Sequence, residues 1–230
     1  MTSIVHSLDP ITLIGGGEVG PADLNFALGL APVCVAADGG ASVAVAAGIN
    51  LHAVIGDFDS VDDVVLKQIP IERRHHIPEQ NSTDFDKCLR HISAPVVIAV
   101  GFTGRRLDHQ LAAMHTLVVR ADRPCVILGE TEVVFHCPPQ ISLPTRAGDV
   151  VSLFPLAEMT GTSTGLEWPI NGLKLAPNYK VGTSNNALGP VQLTMSGPGM
   201  LCIVPRRLLG EVTQALALPE AHATWPALVR

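Results

Sequence analysis

The stretch VCVAADGGASVAVAAGINLHAVIGDFDS, residues 33–60, decides the fold of this chain. It contains two short apolar runs, at 33–37 and 53–55, on either side of an alanine-rich segment that ends at Gly48. Short apolar runs bounded by glycine are typical of buried parallel strands, and the alanine-rich segment predicts a helix with Gly48 as its C-cap. The stretch is therefore predicted to form one strand–helix–strand unit.

The same alternation continues on both sides of this stretch, from Ile11 to about Leu128. Further strands are predicted at 11–14, 96–100 and 125–128, and further helices at 21–30, 62–68, 82–92 and 106–121. Strand–helix–strand crossovers within one sheet are right-handed in nearly all proteins. The first part of the chain is therefore predicted to be an α/β domain, a doubly wound and mostly parallel sheet with helices on both faces.

A different pattern begins after about Pro138. Short strand candidates are separated by clusters of Gly, Pro, Asn and Ser, and helical periodicity is scarce until residues 209–216. The candidates lie at 141–143, 150–156, 191–195 and 200–204. Short strands between turn residues predict an all-β sandwich. The predicted domains are 1–138 (α/β) and 139–218 (β-sandwich), followed by a C-terminal tail at 219–230.

Composition and charge exclude several classes of protein. A net charge of −6 and a pI near 5.8 argue against a nucleic-acid-binding surface, which requires a basic patch. Residues 1–10 lack the apolar core of a secretory signal, and the long uncharged stretches contain Gly, Asn and Ser, so no membrane span is expected. The five cysteines show no Cys-x-x-Cys spacing, which favours reduced core residues. We expect a cytoplasmic protein that binds small molecules.

Four acidic motifs follow one another along the first domain. They are Asp38-Gly39-Gly40, Asp57-Phe58-Asp59-Ser60, Thr83-Asp84 and Arg106-Leu107-Asp108. Three of them come shortly after predicted strands, and ligands of open α/β sheets bind beyond the carboxyl ends of the strands. Carboxylate oxygens suit Mg²⁺, which takes the rest of its ligands from water and substrate phosphates. Sixteen of the 21 acidic residues precede residue 140, so a carboxylate-bound cation is expected in the first domain.

Several of these motifs have a purely structural alternative. Asp59 or Ser60 would serve as the N-cap of a following helix, and Asp84 would form an i,i+3 ion pair with Lys87. Gly104-Arg105-Arg106 precedes a predicted helix, where adjacent arginines suit phosphate binding or mark a solvated helix end. Taken one motif at a time, both interpretations stay open.

Taken in order, the motifs resemble those of the thiamine pyrophosphokinase family. The pattern consists of Asp-Gly-Gly-Ala from residue 38, Gly-Asp-Phe-Asp-Ser from 56, Thr-Asp-Phe-x-Lys-x-Leu from 83, Gly-x-x-Gly-Arg-x-x-Asp-His from 101 and Thr-Ser-Asn from 183. The resemblance spans about residues 11–204. It implies an N-terminal α/β domain that binds ATP and Mg²⁺, a C-terminal β-sandwich that helps to bind thiamine, and a homodimer with active sites shared between subunits.

The resemblance also implies roles for individual residues. Asp57, Asp59 and Asp84 would form the metal and phosphate centre. The implied catalytic residues are Asp57, Asp59, Asp84, Arg106 and Asp108, and the implied ligand-binding residues are Asp38, Gly39, Gly40, Lys87, Gly104, Ser184 and Asn185, the last two near thiamine. The chain departs from the family pattern at Trp168, where Tyr is usual, and at 200–203, which lacks an aromatic residue.

The implied reaction moves a diphosphate group from ATP to the thiamine hydroxyl and gives thiamine diphosphate and AMP. Charge neutralisation and positioning carry such transfers, and an Asp with its ordinary pKa is a poor base for an alcohol. A first alternative is a pyrophosphokinase for another hydroxymethyl heterocycle, such as a pterin, which would change only the pocket of the β domain. A second alternative is a non-catalytic nucleotide-binding module.

Overall fold

The computed structural model describes residues 3–217 and 224–227. Within the chain, the contacts define two compact units, 1–116 and 117–230. The division comes earlier than the predicted boundary at residue 138, so two strands between these positions are counted with the second unit; the predicted boundary stays a prediction. Of the predicted tail, 219–230, only 224–227 lies within the described residues, and there the Trp225 indole N–H donates to the Cys137 carbonyl at 2.9 Å.

The first unit alternates strands and helices, as the sequence predicts. Its strands are β1 (Val5–His6), β2 (Ile11–Ile14), β3 (Val33–Ala37), β4 (Ala53–Gly56), β5 (Arg74–His76), β6 (Ile92–Ser93) and β7 (Val97–Val100). Its helices are α1 (Pro21–Leu30), α2 (Gly40–Ala46), α3 (Asp63–Leu66), α4 (Asp84–His91) and α5 (Leu107–Val119), the last of which continues into the second unit.

A parallel sheet in the order β7-β2-β3-β4-β5 forms the centre of the first unit. Ile11 at the start of β2 pairs with Val33 on one side and with Val97 on the other. Strands β2, β4 and β7 are buried along their whole length, which is why their sequences are almost entirely apolar; the buried hydroxyl of Thr12 in β2 donates to the Ala31 carbonyl. Because these strands are parallel, their carboxyl ends meet at one edge, where the loops with the acidic motifs begin.

The second unit is built from antiparallel strands. They are β8 (Cys125–Leu128), β9 (Glu132–His136), β10 (Gln140–Leu143), β11 (Val150–Pro155), β12 (Gly161–Leu166), β13 (Gly182–Met195) and β14 (Met200–Pro205), followed by helix α6 (Leu209–Ala217). They pair in the order β10-β13-β11-β14-β9-β8, with β12 also on β13. The alternating burial of β10 and β11 gives these strands one buried face.

The strand pairing confirms a mixed α/β fold with a large sheet and helices. It differs from the prediction in five strands that the sequence did not indicate, β1, β5, β6, β9 and β12, and in the length of β13, which begins at Gly182 rather than at residue 191. The Thr183-Ser184-Asn185 motif therefore lies in a strand. The doubly wound layering of the first domain and the sandwich packing of the second stay predictions.

Helix caps decide one of the open alternatives. Helix α3 begins after Asp62, which rules out Asp59 and Ser60 as its N-cap. The Thr83 hydroxyl accepts a hydrogen bond from the Asp86 amide at 3.3 Å and so caps α4, which orients the first turn of that helix. None of the helices among the described residues has the length and apolar character needed to cross a membrane. All five cysteines are buried and unpaired.

Candidate active site

Glycines bring the loops at the carboxyl edge of the parallel sheet into direct backbone contact. A Cβ atom on Gly40 would lie 2.0 Å from the Ile14 carbonyl oxygen, and one on Gly15 would lie 2.6 Å from the Gly101 carbonyl oxygen. A Cβ atom on Gly56 would lie 2.7 Å from Cβ of Asp38. The main chains after β2, β3 and β7 therefore approach one another without intervening side chains, an arrangement that lets backbone groups reach a bound ligand, and Gly56 at the end of β4 makes room for the Asp38 side chain.

Three carboxylates converge at this edge. Asp38, Asp57 and Asp59 each offer one oxygen, and the three oxygens lie within 4.8 Å of one another. Asp38 follows β3 with a φ of +40°, while Asp57 and Asp59 follow β4 on either side of Phe58, which has a φ of +63°. The left-handed turn at Phe58 is uncommon for a bulky side chain and costs about 1–3 kcal/mol, so the surrounding structure must hold it.

His76, at the end of the neighbouring strand β5, contacts this turn in two ways. Its Nε2 atom lies 3.1 Å from the Asp57 carbonyl oxygen, within hydrogen-bonding distance. Its ring packs against the Phe58 ring with the centroids 5.5 Å apart. These two contacts help to keep Phe58 in its strained conformation and the two flanking carboxylates on the same side.

Lys87 lies among the acidic residues and is almost completely buried. Its side chain is 1% exposed, and Nζ donates to Asp57 Oδ2 at 2.9 Å and to Asp84 Oδ1 at 3.0 Å. The i,i+3 ion pair between Asp84 and Lys87 is therefore present, but the same ammonium also reaches Asp57 on another loop. Helix α4 thus connects the Thr83-Asp84 motif to the carboxylates that follow β4.

The charges of this cluster influence one another's pKa values. Hydrogen bonding from Lys87 lowers the pKa of Asp57 below its usual value. Burial raises the pKa of Asp84, and the opposing effect of Lys87 does not outweigh it. Burial favours the neutral form of Lys87, but the hydrogen bonds to Asp57 and Asp84 outweigh this effect and raise its pKa. Lys87 is therefore a cation at neutral pH.

Asp38 is the carboxylate with an unsatisfied oxygen. It is 2% exposed; Oδ2 accepts a hydrogen bond from the Ser60 amide at 3.3 Å, and Oδ1 is buried without a hydrogen-bond partner. Burial, reinforced by the charge of Asp84, raises the pKa of Asp38 to about 7. A buried carboxylate oxygen without a partner is costly unless a ligand satisfies it. Together with Asp57 and Asp59, the Asp38 carboxylate fits a hard divalent cation such as Mg²⁺.

The motif at the start of α5 lies in an exposed position. The Arg106 Nη2 atom contacts Asp108 Oδ2 at 2.6 Å, both side chains are 65% exposed, and the pKa of Asp108 is lowered to about 2 by its hydrogen bond with Arg106. Gly104 has a φ of +94°, which requires glycine. Arg106, which the sequence assigns to phosphate binding, is therefore paired in this structure with Asp108 in the first turn of α5.

The predicted thiamine-side residues lie on β13 in the second unit. Ser184 has a φ of +58°, and its amide donates to the Ser152 hydroxyl at 2.9 Å. Asn185 is 6% exposed; its Oδ1 accepts from the Trp168 amide at 3.1 Å, and its Nδ2 donates to the Trp168 carbonyl at 2.7 Å. Asn185 thus fixes the main chain of Trp168, whose side chain is 56% exposed.

Sequence reasoning missed two polar contacts of Asp57. Gln80 donates from Nε2 to Asp57 Oδ2 at 2.9 Å, and His76 contacts the Asp57 carbonyl as described above. Both residues lie in the segment between α3 and α4, for which the sequence predicted no role.

Two sequence models of one protein family match this chain. The model described as "Thiamin pyrophosphokinase, catalytic domain" matches residues 27–128, and the model described as "Thiamin pyrophosphokinase, vitamin B1 binding domain" matches residues 136–198. The first match includes all three converging carboxylates and Lys87, and the second includes Trp168 and Asn185.

Individual relatives agree with the family models. "Thiamine pyrophosphokinase 2" of Oryza sativa subsp. japonica is 27% identical to this chain over 150 residues. The matched region covers 56% of this chain, and the chain spans only 56% of the length of this curated relative. The solved structure of thiamin pyrophosphokinase from Candida albicans superimposes with a TM-score of 0.72 at 15% identity. The superposition covers 86% of this chain and 89% of the Candida albicans chain. That of Geobacillus thermodenitrificans has a TM-score of 0.69 at 24% identity and covers 85% and 96%. These structures support the fold.

Proposed function

This chain belongs to the thiamin pyrophosphokinase family, and from this membership we propose that it transfers a diphosphate group from ATP to the hydroxyl group of thiamine. The products are thiamine diphosphate and AMP. The observation that carries the proposal is the convergence of Asp38, Asp57 and Asp59 beside the buried cation Lys87. A carboxylate cluster with one lysine at the carboxyl edge of a parallel sheet suits a phosphate-transfer site that binds a divalent cation.

The sequence predicts Asp57, Asp59 and Asp84 as the ligands of the cation. Because the carboxylate oxygens that lie within 4.8 Å of one another belong to Asp38, Asp57 and Asp59, Asp38 would join Asp57 and Asp59 as a ligand, and Asp84 would lie beside them, bound to Lys87. When bound, Mg²⁺ would neutralise negative charge on the phosphate oxygens of ATP. Lys87 orients Asp57 and Asp84 through two of its three N–H groups, and the third would donate to a phosphate in this proposal. Gly39 and Gly40 have no side chains to block an approach of phosphates to this loop, and they would contribute to ATP binding through the main chain.

The chemistry needs positioning more than it needs a strong base. The thiamine oxygen forms a bond to the β-phosphorus of ATP, the bond between that phosphorus and the oxygen of the α-phosphate breaks, and the hydroxyl proton leaves to solvent. In-line placement of the two reactants lowers the barrier by about 7–11 kcal/mol in favourable cases. Arg106, released from Asp108, would add a second cation for the phosphates, and both residues remain assigned to catalysis in this proposal.

The thiamine-binding part of the proposal is supported by the second unit. Asn185 bonds to both the amide and the carbonyl of Trp168 and so holds the main chain from which the exposed indole projects. A flat aromatic surface of this kind suits a cationic heterocycle such as the thiazolium of thiamine. Trp168 would therefore take over the contact that the family usually places in the last strand, and Ser184 and Asn185 would support it.

The quaternary structure and location in this proposal come from the family resemblance. The chain would form a homodimer in the cytosol with active sites shared between subunits, and the doubly wound and sandwich layers would frame them. Five unpaired cysteines agree with a reducing compartment. Native mass spectrometry of the purified protein tests the dimer, and a monomer at enzyme-assay concentrations would contradict it.

Product analysis tests the proposed reaction. Incubation with ATP, Mg²⁺ and thiamine should give AMP and thiamine diphosphate one for one. ADP with thiamine monophosphate would contradict transfer of a diphosphate unit. A parallel incubation with a hydroxymethylpterin tests the other acceptor class, and the absence of turnover with either acceptor would favour a non-catalytic nucleotide-binding module.

A further inference from the structure

The segment 79–82, between β5 and α4, is closed into a compact turn by the carboxylate of Glu79. Glu79 Oε1 accepts a hydrogen bond from the Ser82 hydroxyl, and Oε2 accepts one from the Asn81 amide at 2.8 Å. The hydrogen bonds from Ser82 and from Arg90 lower the pKa of Glu79 to about 2, so this carboxylate is charged at neutral pH. The shape of the turn therefore depends on one anionic side chain.

Arg90 joins this turn to helix α4. Its Nη2 atom contacts Glu79 Oε1 and lies 2.7 Å from the Ser82 hydroxyl oxygen, and its Nε atom lies 3.2 Å from Asp86 Oδ2. The Arg90 side chain is only 16% exposed, so these contacts are partly shielded from water. Arg90 and Asp84 lie on the same helix, six residues apart. The turn is thus attached to the element that carries Asp84 and Lys87.

Gln80 is the residue that the turn presents to the site. Its Nε2 atom donates to Asp57 Oδ2 at 2.9 Å, and Lys87 Nζ donates to the same oxygen at 2.9 Å. The other oxygen, Oδ1, has a long contact of 3.4 Å with the Asp59 amide. Two donors on Oδ2 fix the plane of the carboxylate and leave Oδ1 as the oxygen available to a cation.

We propose that Arg90 and Glu79 are positioning residues, whose ion pair holds the 79–82 turn so that Gln80 orients the Asp57 carboxylate for a divalent cation. The inference rests on the metal site of the proposed function. It adds two residues that lie outside the carboxylate cluster and act through a third, Gln80.

The geometry of the guanidinium group makes Arg90 suited to this task. The planar group donates from Nη2 to Glu79 and Ser82 while its Nε lies within ion-pair distance of Asp86, whereas the ammonium of a lysine provides a single point of charge. Loss of the ion pair leaves the turn less well fixed. The hydrogen bond from Gln80 to Asp57 is then formed for a smaller fraction of the time. Partners that orient metal ligands typically change metal affinity by about 10–100-fold, and an indirect partner belongs at the lower end of that range.

Isothermal titration calorimetry, in which Mn²⁺ is added to the metal-free protein, measures the Mn²⁺ affinity without any need for turnover. The variants are Arg90→Lys, Glu79→Gln and Gln80→Ala, and we expect each to weaken Mn²⁺ binding by about tenfold. Arg207→Lys is the matched control, because Arg207 forms a comparable ion pair with Asp149 in the second unit. The control should bind Mn²⁺ as the wild type does. Thermal unfolding of every variant, measured alongside, identifies any that fails to fold.

The double variant Arg90→Lys/Gln80→Ala separates positioning from a general loss of structure. If Arg90 acts through Gln80, the double variant should bind Mn²⁺ no more weakly than Gln80→Ala alone. If the losses of Mn²⁺ affinity in the two single variants multiply in the double variant, the inference is wrong. It is also wrong if Arg90→Lys and Glu79→Gln fold and bind Mn²⁺ with wild-type affinity. If the wild-type protein binds no Mn²⁺, the proposed metal site fails as well; if it binds but transfers diphosphate to a different acceptor, the positioning role is unaffected.

Discussion

Asp57 and Asp59 are one residue apart, yet the structure predicts that neutralising them has different effects on stability. Asp57→Asn leaves Lys87, which is 1% exposed, with one charged partner, Asp84, instead of two. Asp59 is an exposed residue, and its carboxylate accepts a hydrogen bond from the neighbouring Ser60 hydroxyl. Both substitutions should abolish turnover, because both remove a proposed ligand of the cation.

The size of the stability effect follows from the contacts of Lys87. A hydrogen bond between charged groups contributes about 1.5–3 kcal/mol, and relief of the repulsion between Asp57 and Asp84 offsets part of its loss, so we expect a cost of about 1.5–2 kcal/mol. At about 2–4 °C per kcal/mol for a chain of this length, Asp57→Asn should lower the Tm by about 3–8 °C. Asp59→Asn, at an exposed position, should change it by about 2 °C or less.

The assay compares the two variants with the wild type in two measurements. Differential scanning calorimetry in the presence of EDTA gives the Tm without bound metal, and AMP release at saturating Mg²⁺ gives the turnover. Asp59→Asn is the matched control for Asp57→Asn, since it removes the same charge from the same loop. Equal Tm values would refute the stabilising role of the Lys87–Asp57 pair, and near-wild-type turnover of either variant would refute its assignment as a metal ligand.

Two further predictions concern Asp38 and the glycine loops. An acid whose pKa rises from 3.8 to about 7 on folding keeps a proton that the unfolded chain has released, so the contribution of Asp38 to the free energy of unfolding should fall as the pH rises between these values. Asp38→Asn should remove this fall and be the more stable protein at pH 8 in EDTA; denaturant titrations at several pH values check this, and parallel profiles would contradict it. Gly40→Ala should destabilise the protein, because its Cβ would lie 2.0 Å from the Ile14 carbonyl oxygen, whereas Gly29→Ala in α1 meets nothing within 4 Å and should stabilise it by about 0.8–1 kcal/mol. Thermal unfolding measures both, and equal shifts would refute the close approach at Gly40.

The parallel part of the fold could be predicted closely from the sequence. The bounds of β2, β3 and α1 agree with the prediction to the residue. A strand buried on both faces is an almost entirely apolar run that ends at a turn residue, and Pro21 at the first position of α1 marks the start of that helix. The acidic motifs could be assigned to one edge for the same reason, since parallel strands end on the same side. The convergence of Asp38, Asp57 and Asp59 follows from this topology.

The antiparallel part and the supporting contacts of the site were harder to predict. Strand β12 has the sequence GTSTGL, in which small polar residues resemble a loop, and β13 contains Gly189 and Pro190, which normally interrupt strands. Gln80 contacts Asp57 across 23 residues of sequence, and a long-range hydrogen bond leaves no periodic pattern. The left-handed turn at Phe58 could not be predicted either, because bulky aromatic residues rarely adopt a positive φ and nothing in the sequence indicates one here.

The five buried cysteines supply the protein with internal reporters of unfolding. Burial raises the pKa of the Cys34 and Cys137 thiols to about 12, so almost no reactive thiolate exists in the native state. Cys34 and Cys88 lie in the first unit, whereas Cys125, Cys137 and Cys202 lie in the second. The rate at which an alkylating reagent modifies each thiol therefore measures how often its own unit opens, and peptide mapping separates the two units without any engineered label.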